Sequence, residues 1–213
     1  MEMSRNKKII LAVIVILIAF LTFFGIQVAG QKLAVKEGLN YLQEKEYEKA
    51  HSSFEKAEKK HTLFLSKSDI RYYEGECLMY LERFDEAADV YGHIFDTRAI
   101  ALKGFALQRN GDLKGAKKAF EEAIKKDAKD GVGYYYLYAY YVDKKAYNKA
   151  LNVLDEAKGN GVKNMKQEID FARIVVYEKM LKYDRALDAA KEYVDAYPDD
   201  ENGKQELAFL ETR

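Results

Sequence analysis

Tryptophan is absent from this chain, and cysteine and proline each occur once in 213 residues. A lone cysteine, Cys77, excludes a disulfide framework and any zinc site built on cysteine pairs. A chain of this length usually carries about ten prolines. Having only Pro198 leaves long helical stretches uninterrupted. Net charge is missing too: 35 Lys and Arg balance 35 Asp and Glu. That removes the basic footprint on which nucleic-acid binding rests. What is present is 48% apolar residues, too many for a disordered chain, with 17 Tyr and 11 Phe among them.

The first feature is an apolar run. From Ile9 to Ile26 the only polar side chain is Thr22. As a helix these residues span roughly 27 Å, close to the ~30 Å hydrocarbon core of a bilayer. A helix in water needs a polar face, and this run has none. The run is also longer than the ~7–15 apolar residues of a secretory signal peptide. It therefore predicts a basic tail at 1–8 and a transmembrane signal-anchor helix at 9–29. Cleavage at Val28-Ala29-Gly30 is the alternative. Arg5, Lys7 and Lys8, opposed by Glu2, precede the run, and Lys32 and Lys36 follow it. The positive-inside rule then favours, by about one charge, a cytoplasmic N-terminus with the rest of the chain outside the cytoplasm.

Beyond residue 31 one spacing recurs. A small residue is followed after three positions by a large apolar one. Nine further on comes Ala, then after four an aromatic or apolar residue, then after three another. Gly38, Tyr41, Ala50, Phe54 and Ala57 fit it. So do Gly75, Leu78, Ala87, Tyr91 and Ile94, and then Gly104, Leu107, Ala116, Phe120 and Ala123. Looser copies run through Tyr138, Tyr141, Ala150, Leu154 and Ala157, and through Ile174, Tyr177, Ala186, Ala190 and Tyr193. The five alanines stand 37, 29, 34 and 36 residues apart. Each copy reads as two amphipathic helices joined by a short polar turn such as Glu44-Lys45-Glu46 or Asn110-Gly111-Asp112. Small residues on one helix permit close approach of the other, and the aromatics fill the space alongside.

This pattern resembles the tetratricopeptide repeat, a ~34-residue helix–turn–helix unit. Copies fall at about 31–61, 67–96, 97–128, 131–162 and 165–198, and residues 199–213 read as a capping helix. No copy has the family's early Trp, and the closing proline appears once, as Pro198. Tyr138 occupies a small-residue position, which predicts a splayed helix pair in copy four. The 29-residue interval predicts a tight turn near Asp96-Thr97. The fold the resemblance implies is all-α: one transmembrane helix, then a right-handed α-solenoid of about five repeats with its cap.

The family's layout places the first helix of each copy on a concave face. Residue by residue this implies a partner groove of Leu39 in copy one and Tyr72, Glu76, Met79 and Tyr80 in copy two. Phe105 and Arg109 follow in copy three, Tyr135 in copy four, and Phe171 and Val175 in copy five. Glu178 lies on the same line. Where co-chaperone members carry a lysine–asparagine clamp for a peptide carboxylate, this chain has Val35 and Leu39, so that specificity is not implied. An aromatic and aliphatic groove suits a protein or peptide segment. Membrane-anchored bacterial members imply a role in secretion or envelope assembly. An envelope glycan, or a purely structural oligomerising array, are the other readings. For each ring, packing between repeats competes with ligand contact, since Tyr134-Tyr135-Tyr136-Leu137-Tyr138 winds right around a helix.

Searching for chemistry yields no catalytic, cofactor or metal site. His51, His61 and His93 lack ligand spacing. Cys77 lies in a helical repeat with no histidine at a motif spacing. Gly131-Val132-Gly133 lacks the strand–turn context of a phosphate loop. Asp199 to Gly203 fails as a calcium loop, because the required first and last ligands fall on Pro198 and Phe209. The expectation is a protein without enzymatic activity.

Overall fold

The computed structural model describes residues 4–60 and 66–213. His61 and the end of the first copy lie outside the described residues. Among those described, regular structure consists of eleven helices and no strand. The chain divides into two compact units, residues 1–94 and 95–213.

The first unit holds α1 (Arg5–Gln43), α2 (Tyr47–Glu58), α3 (Lys67–Tyr80) and α4 (Phe84–Gly92). Helix α1 begins inside the basic tail and runs unbroken for 39 residues. The apolar run and the first helix of copy one are thus one helix. Its first part is exposed throughout Ile9 to Phe23, and it is long and apolar enough to cross a membrane. The second unit holds α5 (Thr97–Arg109), α6 (Leu113–Lys126), α7 (Gly131–Asp143), α8 (Tyr147–Asn160), α9 (Lys166–Lys179), α10 (Tyr183–Ala196) and α11 (Glu201–Leu210). Helices pack in sequence order within each unit, and α5, α7 and α9 also touch directly, so the first helices of three copies form one wall.

All five hairpins turn the same way. The first helix of each ends on a residue in the left-handed region: Lys45, Glu82, Gly111, Lys145 and Leu181, with φ between 56° and 89°. Each stands five residues before its copy's recurring alanine. The next amide donates back to the carbonyl of the large residue in the repeat pattern: Glu46 to Tyr41, Arg83 to Leu78, Asp112 to Leu107, Ala146 to Tyr141 and Lys182 to Tyr177, at 2.8–3.0 Å. The left-handed residue's own amide donates to the carbonyl three residues back, as Lys145 does to Val142 at 2.8 Å. This pair of bonds is the Schellman ending, which satisfies carbonyls that a helix end otherwise leaves open. Only copy three uses glycine there. The other four accept left-handed strain that a side chain ordinarily avoids.

Inside the hairpins, the small residues admit rings. A Cβ at Gly38 would stand 2.7 Å from the Phe54 ring, one at Gly75 2.6 Å from Tyr91, and one at Gly104 2.6 Å from Phe120. Copy five inverts the sizes: Ile174 and Ala190 are both fully buried. In copy four α7 and α8 lie less closely along each other than the equally long α5 and α6, in the direction the large Tyr138 predicts. Leu154 remains fully buried in place of a ring, and Tyr138 turns to Tyr135, with ring centroids 5.3 Å apart. A smaller residue on α8 accommodates the larger one on α7. The short spacing after copy two has a different origin from a tight turn. Helix α4 has 9 residues against 14 in α6, and the connection through Phe95 and Asp96 is ordinary, with Asp96 capping α5 by accepting from the Ala99 amide at 2.9 Å.

Helix α11 lies on α10 and buries Gly203 against the Tyr193 ring and Leu210 in the core. Phe209 stays partly exposed beneath the Arg213 guanidinium, 4.6 Å from its ring centre.

The glycine contacts make a direct prediction. Gly104→Ala forces a methyl into the Phe120 ring and the Ala116 carbonyl, and it destabilises the second unit by about 1–3 kcal/mol. Gly159→Ala, whose Cβ would meet open space, stabilises it by up to about 1 kcal/mol. Denaturant titrations of the two variants read both effects.

Candidate functional site

The ten residues expected to line a groove fall in two places. Leu39, Tyr72, Glu76, Met79 and Tyr80 belong to the first unit, and Phe105, Arg109, Tyr135, Phe171 and Val175 to the second. Within the first, Leu39 packs on the core of Ala34, Ala50 and Phe54. Tyr72 leans on Tyr91, and Tyr80 stacks on Tyr47 at 4.4 Å between ring centres while remaining 55% exposed. Glu76 and Met79 are half-buried.

In the second unit, α7, α9 and the start of α11 enclose a concavity of about 340 Å³. Tyr135, Phe171 and Val175 line it, as expected. Phe105 does not reach it: its ring packs on Tyr136 at 5.4 Å as part of the core periphery. Arg109 is exposed at the end of α5.

Seven of the ten lining residues were not legible in the sequence: Tyr138, Gln167, Glu168, Ala172, Tyr193, Asp200 and Asn202. Asp200 is the N-cap of α11, its carboxylate accepting from the Asn202 amide at 3.1 Å. The other carboxylate oxygen accepts from the Tyr193 hydroxyl at 2.5 Å and from the Gln167 amide at 3.3 Å. One side chain thus starts the terminal helix and ties it to α9 and α10. The acidic run Asp199-Asp200-Glu201 did signal a helix start, and nothing local signalled that it closes a pocket.

Electrostatics follow from this geometry. The Tyr193 hydroxyl holds Asp200 below the usual aspartate range, while burial first and Asp200 second push Tyr193 up to about 12. Burial, then neighbouring Tyr135, pushes Tyr138 up to about 12. At the far end of α9, burial and a hydrogen bond with Glu206 push Glu178 up to about 7. The wall carries apolar rings, hydroxyls and carboxylates. It offers contact area and hydrogen-bond acceptors, and no nucleophile with an adjacent base. Cys77 is fully buried, and burial pushes its thiol up to about 12, which makes it inert. No group of three His, Cys, Asp or Glu suited to a metal occurs among the described residues.

A profile of the tetratricopeptide repeat matches residues 35–91. That match covers the first two copies, and the rest of the chain shares the fold of tetratricopeptide-repeat structures. No curated protein matches it. Solved structures with the same fold include a tetratricopeptide repeat protein of Parabacteroides merdae, 13% identical, with a TM-score of 0.60 over 85% of this chain and 72% of that one. A thermophilic repeat protein of Thermus thermophilus is 16% identical, with a TM-score of 0.60 over 86% of this chain and 100% of its own. YrrB, described as having an unusual peptide-binding site, is 16% identical, with a TM-score of 0.52 over 81% of this chain and 89% of its own.

One buried carboxyl makes the first unit sensitive to pH. Glu74 on α3 is 7% exposed, with one oxygen 3.7 Å from His51 Nε2 and the other without a hydrogen-bond partner. Burial, reinforced by Glu58 and Glu55 and opposed by Arg71 and Lys59, pushes it up to about 7 from an unfolded value of 4.5. Between those values the folded state holds a proton that the unfolded state has released, so stability falls as pH rises. His51, lowered by burial, works the other way on the acid side. Glu74→Gln therefore gains on the wild type across pH 4.5 to 7, by up to about 3 kcal/mol. Chemical denaturation at a series of pH values checks it; parallel curves would place Glu74 in water.

Proposed function

We propose that this protein is a membrane-anchored repeat scaffold that docks a segment of another protein in the concavity between α7, α9 and α11. The concavity carries the reading: its lining combines apolar Phe171, Ala172 and Val175 with Tyr135, Tyr138, Glu168 and Asp200. An apolar side chain suits the apolar part of that lining, and a neighbouring lysine or arginine suits its carboxylates. The peptide-binding site named for YrrB is in keeping with that use of the fold. Residues 9–29 hold the protein in the bilayer. The one polar side chain of the run, Thr22, supports this because its hydroxyl donates to the Ile18 and Ala19 carbonyls at 3.0 and 2.9 Å and leaves no unsatisfied donor toward lipid. By the charge balance across the run the N-terminus is cytoplasmic and the repeats lie outside, where secretion or envelope assembly takes place. The reading assigns no catalysis to the chain.

The test is in-cell crosslinking from a photoreactive residue placed at Val175, with Lys191, exposed on α10, as the comparison position. A discrete protein adduct is expected at Val175 alone, falling at least about fivefold when Tyr135 is replaced by Ala, the loss of one well-packed aromatic contact. The same adducts from both positions would sink the docking site. Saturable retention on purified cell wall with no adduct would favour the glycan instead.

A further inference from the structure

We propose that the first hairpin rests on the membrane surface, where Lys32, Lys56, Lys59 and Lys60 contact anionic phospholipid headgroups. This rests on the anchoring of residues 9–29. Helix α1 is a single helix from the apolar run to Gln43 with no proline in it. A run starting at Ile9 reaches the far edge of a ~30 Å hydrocarbon core after about 20 residues, near Val28.

Helix α2 runs back alongside α1 and brings its C-terminus down to that level. The Gln31 amide, on a side chain that is 1% exposed, donates to the Ala57 carbonyl at 3.3 Å. The Lys60 side chain lies across Gly30, with Cε 3.4 Å and Nζ 3.7 Å from where a Cβ would stand. Gly30 is two residues, about 3 Å, past the hydrocarbon edge. The headgroup layer is itself about 5–8 Å deep on each side. The Lys60 ammonium therefore sits within headgroup reach, and Lys56 and Lys59 lie within a turn of it on exposed positions. Lys32 projects from α1 at the same height, also exposed.

Charge at this level is weighted to one sign. Glu58 is taken up by Arg71 at 2.7 Å, and Glu55 pairs with Lys59 at 2.9 Å. Lysines at a helix C-terminus also complement the helix dipole, which accounts for Lys56 and Lys59 without a membrane. It does not account for Lys60 being folded back over Gly30 beside the end of the apolar run. Phosphate-bearing headgroups supply the matching charge, at a density that makes each surface lysine favourable.

The full chain is reconstituted into nanodiscs of phosphatidylcholine alone or with about 30% phosphatidylglycerol, and lysine acetylation rates are followed by mass spectrometry. Lys45, at the opposite end of the 12-residue α2 and about 18 Å farther from the bilayer, is the internal control. Lys56, Lys59 and Lys60 are expected to react about threefold to tenfold more slowly in the anionic discs, with the protection fading at high salt, while Lys45 changes less than about twofold. Equal rates in both discs, or equal protection of Lys45, would overturn the contact and leave the anchor standing. Failure of the chain to co-elute with either disc would overturn the anchor and the contact together.

Discussion

A repeat of this kind depends on how closely two antiparallel helices can approach. In copies one to three the distance is set by a missing Cβ: Phe54, Tyr91 and Phe120 each occupy the space that a side chain on Gly38, Gly75 or Gly104 would need. Those rings are nearly or fully buried, and the neighbouring alanines at 50, 87 and 116 are completely so. The constraint is on summed volume rather than on glycine itself, as Ile174 over Ala190 demonstrates. All five hairpins adopt the same Schellman ending despite sharing almost no turn residues.

The concavity in the second unit is a consequence of the same stacking. With α5, α7 and α9 side by side, the residues on their common face cannot all be covered by a second helix. Helix α11 covers part of that face and stops. Asp200 sits where the coverage ends, capping α11 and receiving Tyr193 and Gln167, so the terminal helix is held by polar bonds on one side and by Gly203 and Leu210 on the other. The pocket is as rigid as those contacts.

In the first unit the stacking has a different outcome, because its first helix is also the apolar run. A rigid α1 ties the height of α2 to the end of that run, and no hinge intervenes to let the hairpin swing away. Glu74, buried between α2 and α3 beside His51, lies one helix layer further in. Under the proposed anchoring, a displacement at the bilayer reaches that layer through packed helices rather than through a linker.

Much of this was written in the sequence: the repeat period, the two helices per copy, the close-approach glycines and the start of the terminal helix at Asp200. These are local or near-local properties, governed by side-chain periodicity, turn chemistry and capping within about 35 residues. Even the inconsistency in the spacing was legible, although its cause was not: α4 ends five residues past Ala87, whereas α6 runs ten past Ala116. What only the tertiary structure decided was the role of individual side chains. Tyr134 and Tyr135 are neighbours in the chain, yet the first is fully buried in the core and the second lines the concavity. Phe105 and Val175 hold equivalent places in the pattern, yet one packs on Tyr136 and the other opens to the pocket. Periodicity assigns a face of a helix, but burial of a residue on that face depends on which distant helix covers it and where that helix ends.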